Sequence, residues 1–339
     1  MTSRKKSHPA TRKMWATAGL IAAAALVFSS CGAAKPETYT VGVLSGMSFA
    51  AGIFDSFQAK MTELGYVEGE NITYDLRAME FDIAGYQAAL QDFVDAKVDL
   101  ILSFPTEAAL EAKTATEGTG IPVVFGYGFI EGTGLVDSVT APGGNVTGSR
   151  YPGPDLALKR FEVMMEIAPE TKRLWIPYQR GYPIVEPQME ALRPVAEAAG
   201  VTLIEFPADD AAELQADLDA REGMEDLGLD AIMFLSEPLA VTPEPFEVMA
   251  AFAYANKIPI GGAMMVIGDY ASIYGIIGDI GSSGVQAAQI ADKILRGADP
   301  AAIPVVSPES FFSINVTAAQ KIGVTVSEGL LAQANEVMR

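Results

Sequence analysis

Val98-Asp-Leu-Ile-Leu-Ser103 runs into a helical stretch from Thr106 to Ala115 and then into Gly120-Ile-Pro-Val-Val124. The same succession returns as Leu229-Asp-Ala-Ile-Met-Phe-Leu-Ser236, a helix from Pro245 to Asn256, and Lys257-Ile-Pro-Ile260. Each copy reads as a strand, a loop, a helix and a second strand. Short β-branched runs without polar alternation are what a parallel sheet covered on both faces requires. The repetition predicts two similar α/β lobes in tandem, whether by duplication or by the general likeness of doubly wound domains.

The pattern extends outward from both copies. Strands are predicted over 40–45, 72–76, 100–104 and 121–125, alternating with helices over 51–64, 83–96 and 106–115, with Gly65 as a helix stop. A second series places helices over 156–167, 185–199, 211–221 and 245–256 between strands over 173–177, 201–206, 231–235 and 259–260. Right-handed crossovers wind each series into an open sheet. Between them lies Pro142-Gly-Gly-Asn-Val-Thr-Gly-Ser-Arg-Tyr-Pro-Gly-Pro154, a turn-forming cluster read as a crossover hinge. The glycine spacings of dinucleotide and P-loop sites are absent from it.

Composition removes whole classes of chemistry. The one histidine is His8 and the one cysteine is Cys31, so the body has no imidazole and no thiol. Histidine-based triads, cysteine nucleophiles, thiolate or imidazole zinc sites and body disulfides are excluded, and neither a metal nor a cofactor is expected. The net charge is −20, yet the first thirty residues carry five bases and no acid, leaving 18 bases against 43 acids beyond them. Such a body repels phosphate backbones and anionic lipid heads, which argues against nucleic-acid binding.

The amino terminus has the form of an export signal. Basic residues at 4–13 precede an apolar run from Trp15 to Phe28, then Ser29-Ser30-Cys31-Gly32. The run is shorter than the ~20 residues of a spanning helix. Cys31 resembles the lipidated cysteine of a bacterial lipobox, although Phe28 stands where leucine is usual; an ordinary signal peptide is the competing reading. The resemblance implies a cell-membrane lipid anchor facing the periplasm or exterior, with 1–30 as signal peptide and 31–37 as lipidated tether.

Several segments resemble, in order and spacing, the ABC-transporter substrate-binding protein family that includes the tryptophan-binding lipoproteins. They are Glu63-Leu-Gly-Tyr-Val-Glu-Gly-Glu-Asn-Ile72, Lys97-Val-Asp-Leu-Ile101, Ile121-Pro-Val-Val-Phe125, Gly134-Leu-Val-Asp-Ser138, Pro142-Gly-Gly-Asn-Val-Thr-Gly148, Asn256-Lys-Ile-Pro259 and Gly284 to Gly297. The resemblance implies a type I periplasmic-binding-protein fold, a small-molecule solute and an ABC transporter permease as partners, and no catalysis. The expected lobes are 38–150, with about 280–300 packing back on it, and 151–339 including the hinge return. A monomer is expected.

Ligands of open α/β sheets bind outside the strand carboxyl ends, where helix amino termini present spare N–H groups. In the first lobe that rule selects Ser45 and Phe49, then Ser103 and Thr106, then Tyr127 and Phe129. Ser48 and Thr106 read equally as helix caps, and Phe49 as core. In the second lobe it selects Tyr178, Ser236, Glu237 and Met264, with Asp279 following Tyr274-Gly. Glu237 and Asp279 are candidate partners for a ligand ammonium, or solvated rim charges. Paired methionines such as Met164-Met165 read as core filling, and Asp209-Asp210 as charges on a helix start. An aromatic or apolar amino acid is the leading solute, with a nucleoside, a sugar or a sensory role as rivals.

Overall fold

A computed structural model describes residues 38–339; the segment read as an export signal, Cys31 and the residues read as a tether lie outside the described residues. Strands β1 (Tyr39–Ser45), β2 (Ile72–Ala78), β3 (Leu100–Phe104), β4 (Val123–Gly128) and β5 (Val146–Arg150) form one parallel sheet in the order β2-β1-β3-β4-β5. Helix α1 (Gly52–Glu63) covers one face, and α2 (Ile83–Ala96) and α3 (Thr106–Ala115) the other. The split follows from strand alternation: Leu100, Leu102 and Phe104 pack with Phe57 and Met61, whereas Ile101 packs with Leu90 and Ala109.

The second lobe begins with α4 (Gly153–Ile167), followed by β6 (Arg173–Gln179), α5 (Val185–Ala198), β7 (Thr202–Ala208), α6 (Ala211–Glu222), β8 (Ala231–Met233), α7 (Pro243–Asn256) and β9 (Ile260–Gly261). Its parallel sheet runs β7-β6-β8-β9, the order of the first sheet over its first four strands. Beyond it come a hairpin of β10 (Val266–Ile267) and β11 (Tyr270–Ala271), then β12 (Tyr274–Gly278), α8 (Ile280–Leu295), β13 (Ser310–Asn315), α9 (Val316–Ile322), α10 (Glu328–Gln333) and β14 (Glu336–Met338). Strand β13 lies antiparallel to β12 and parallel to β14. Among the described residues no helix is long and apolar enough to cross a membrane.

The Gly/Pro cluster differs from its reading as a hinge alone. Residues 146–150 are the fifth strand of the first sheet, because Val146 and Thr147 place buried side chains on its two faces while Gly148 passes against Phe125, where a Cβ would overlap the Phe125 carbonyl. The crossing falls after Arg150, at Tyr151-Pro152. The chain crosses again between β12 and α8, and a third time after Val306, which bonds to both sides of Ser149 through Gly148 O and Arg150 N–H. Helix α8 lies on α1 of the first lobe: a Cβ on Gly284 would overlap the Ile53 carbonyl, and Tyr66 Oη donates to Asp292 at 3.0 Å.

Candidate functional site

The loops at the strand carboxyl ends of the two sheets meet. Gly126 and Gly128 flank Tyr127, which adopts a left-handed backbone (φ 56°) at a register shift between β4 and β5. A non-glycine residue in that region is strained and needs surrounding contacts to hold it. Here the Tyr127 N–H donates to Ser283 Oγ at 3.0 Å, its hydroxyl donates to Gly278 O at 3.2 Å, and its ring lies 4.8 Å from that of Tyr151. Burial pushes the Tyr127 hydroxyl pKa upward, so it stays a neutral donor.

Across from Tyr127 stands the end of β8. Ser236 is clamped by Gln188: its N–H donates to Gln188 Oε1 at 3.0 Å, and Gln188 Nε2 donates to its carbonyl at 3.1 Å. Its Oγ accepts from Arg160 Nη1 at 2.6 Å and shares a hydrogen bond with Tyr151 Oη. Tyr182, in the β6–α5 loop, lies within the electrostatic reach of Glu107 at the start of α3 and of Glu237 beyond β8. Burial first, and those two carboxylates second, push the Tyr182 hydroxyl up to about 12. Tyr127 and Tyr151, with the hydroxyl of Ser236, thus meet at the junction, and Tyr182 lies between a carboxylate of each lobe. Two concavities elsewhere, of about 250 Å³ beside Tyr254 and Tyr270 and about 560 Å³ beside Val94 and Ile121, include none of these residues.

Other predicted residues have different occupations. Phe129 is 2% exposed, its ring filling the space that Gly153 leaves open, so it is core beneath the junction. Thr106 does not cap α3, whose cap position is Pro105; its Oγ1 accepts from the Phe129 N–H at 2.9 Å and ties two loops together. Ser103 is fully buried with its hydroxyl unpartnered, on the same face of β3 as Ile101, which packs with α2 and α3. Ser45 is buried at the end of β1, and the side chain of Phe49 lies outside the described residues. Met264 is half-buried, where the chain passes Gly275 of β12. Tyr178 turns away to Glu205, donating at 3.3 Å beside the Arg193–Glu205 pair.

The two acidic candidates are occupied by backbone. Glu237 is 5% exposed and accepts from the N–H groups of Gln179 (2.9 Å), Leu239 (2.9 Å) and Ala240 (2.6 Å). Desolvation raises its pKa even though those three donors pull it down. Asp279 caps α8, its Oδ1 accepting from Gly281 N–H at 2.8 Å and Ser282 N–H at 3.2 Å. Both serve loop and helix ends, because a short acidic side chain following a strand reaches the nearest free N–H groups first. Sequence reading passed over Arg160 and Gln188. A signal for Arg160 existed: it falls on the stripe Leu156, Ala157, Phe161 and Met164 that α4 buries.

Two lobes of like topology, joined by three crossings, define a type I periplasmic binding protein. The model of the family "ABC transporter substrate binding protein" matches residues 42–338, and the chain belongs to that family. A tyrosine-binding protein of Clostridioides difficile (strain R20291) is 26% identical over 262 residues, covering 74% of this chain and 70% of its relative. Among solved structures, an ABC domain in complex with L-Trp from Streptococcus pneumonia has a TM-score of 0.72 at 24% identity, covering 89% of this chain and 100% of that one. A ligand-free, open substrate-binding protein with adhesive properties from Clostridium difficile gives 0.74 at 21%, covering 89% and 99%. The family consists of solute-binding proteins rather than enzymes, which work outside the cytoplasm with an ABC transporter.

Proposed function

We propose that this protein is a lipid-anchored, monomeric receptor that captures an aromatic amino acid between its lobes and delivers it to the permease of an ABC importer. The observation that carries the reading is the packing of Tyr127 on Tyr151 at the junction, with the Ser236 hydroxyl bonded to Tyr151 from the second lobe. Aromatic walls suit a ring through offset or edge contacts, and hydroxyl and N–H donors suit a carboxylate. The tyrosine-binding relative and the tryptophan complex bind solutes of the same class.

The mechanism rests on hinge closure. A solute that touches both lobes makes some contacts only when they are closed, and its differential affinity sets how far the open–closed equilibrium moves. The permease then meets the closed form. Lipidation at Cys31 keeps the receptor at the membrane.

Calorimetry against tyrosine, tryptophan, phenylalanine, leucine, ribose, myo-inositol and adenosine tests the proposal. Saturable binding of an aromatic amino acid is the expected result. Binding of only a sugar or a nucleoside, or of none of the amino acids, overturns the solute assignment.

A further inference from the structure

Arg160 is a buried charge whose partners are all neutral. It is 1% exposed, in the middle of α4. Its Nε and Nη2 donate to the carbonyl of Ile276 at 3.0 and 2.5 Å, and Nη1 donates to Ser236 Oγ at 2.6 Å. Among the described residues no carboxylate is hydrogen-bonded to it. Arg150, Arg173 and Arg193, by contrast, each hold two. A guanidinium taken out of water without an anion is destabilising, so an anion arriving nearby recovers part of that loss.

Hydrogen counting shows where that anion belongs. Arginine only donates, so Ser236 Oγ is an acceptor toward Arg160. Ser236 and Tyr151 share a bond that uses one of their two hydroxyl hydrogens, whichever of them donates. The other hydrogen is spare, and it sits at the end of a chain polarised by the buried cation. This chain starts in the second lobe's core, ends at Tyr151 against the Tyr127 ring, and lies at the carboxyl end of β8. Glu237, next to Ser236 in the chain, is already satisfied by three backbone donors, and Asp279, which acts on Tyr127, by two.

We propose that Arg160 is the positioning residue for a carboxylate of the solute, acting through the Arg160–Ser236–Tyr151 chain so that this end of the junction selects an anionic group. The proposal rests on the interlobe solute site described above. It goes further in assigning which side chains read the anionic end.

The test compares tyrosine, 3-(4-hydroxyphenyl)propionate, which keeps the carboxylate without the ammonium, and tyramine, which keeps the ammonium without the carboxylate. Arg160→Met is expected to weaken the two carboxylates at least tenfold and to leave tyramine unchanged. Arg160→Lys, which keeps the charge, is expected to restore part of the loss. Ser236→Ala interrupts the chain without touching α4, and carries the same expectation if Arg160→Met does not fold. Equal losses for all three compounds, or no loss, overturn the proposal.

Failure of the aromatic-amino-acid assignment is distinguishable from this. If the unaltered protein binds none of these compounds, acetate against chloride at equal ionic strength is the probe. A melting temperature raised by acetate in the unaltered protein but not in Ser236→Ala sustains the proposal; an equal response, or none in either, overturns it.

Discussion

The backbone N–H of Asp279 donates to the carbonyl of Glu309 at 2.8 Å, tying the second crossing between the lobes to the third. A Cβ on the adjacent Gly278 would come within 3.2 Å of Tyr127, 3.4 Å of Pro308 and 3.6 Å of Tyr151. All three crossings, and the aromatic end of the junction, therefore meet at one glycine. A displacement of Tyr127 or Tyr151 bears directly on the crossings.

Asp279 separates a capping role from a ligand role. Asp279→Ala is expected to lower stability by about 1 kcal/mol through loss of the α8 cap, while Asp279→Asn, still a capping residue, leaves it nearly unchanged. Chemical denaturation of the two variants checks this. A loss of solute affinity in Asp279→Asn at unaltered stability would place the carboxylate in the solute site instead.

Glu237 gives a pH dependence of defined sign. Its folded pKa is raised above the ordinary 4.5, mainly by desolvation, so the folded protein holds the proton more tightly than the unfolded chain. Its contribution is fully present below about pH 4.5 and is lost as pH rises through the raised folded value. Glu237→Gln cannot titrate and turns an amide against a backbone donor, at a cost of about 1–3 kcal/mol. Denaturation from pH 4 to pH 7 is expected to show the advantage of the natural protein over the variant shrinking as pH rises.

Gly284 and Gly281 stand one helical turn apart on α8 and should behave oppositely. Alanine is worth about 1 kcal/mol over glycine in a helix interior. At Gly281 the nearest atoms to an added Cβ are 3.3 Å and 3.5 Å away on side chains, so Gly281→Ala is expected to be close to neutral. At Gly284 the added carbon meets the Ile53 carbonyl and, at 2.9 Å, Ser56 Cβ. Gly284→Ala must part α8 from α1 and is expected to lower stability by about 1–3 kcal/mol net. Melting temperatures of the pair decide it.

Cys31→Ala is expected to release the protein from membranes into the soluble fraction. Fractionation with labelled palmitate reads both the location and the acyl group. Unchanged membrane association refutes the anchor.

Much of the scaffold was legible because its signals are local. The helices 83–96 and 106–115 and the strand 100–104 have the bounds their periodicity predicts, since each carries its own apolar pattern and its own stop. The strand 146–150 was not, because Gly148 and its glycine and proline neighbours read as a turn until Phe125 is seen to need the space. The small elements after residue 261 were likewise unread, being too short to carry a period.

The sequence by itself determined that the chain builds two look-alike α/β lobes and has no imidazole or thiol chemistry in its body. Those properties follow from pattern and composition, which need no partner. Only the tertiary structure decided what the polar side chains at the strand ends do. Glu237 and Asp279 spend their charge on backbone donors, while Arg160, hidden on a helix stripe, keeps its charge unpaired beside Ser236. The physical reason is that a polar group's role is set by which donors and acceptors lie within about 3 Å of it, and folding assembles those neighbours from distant parts of the chain.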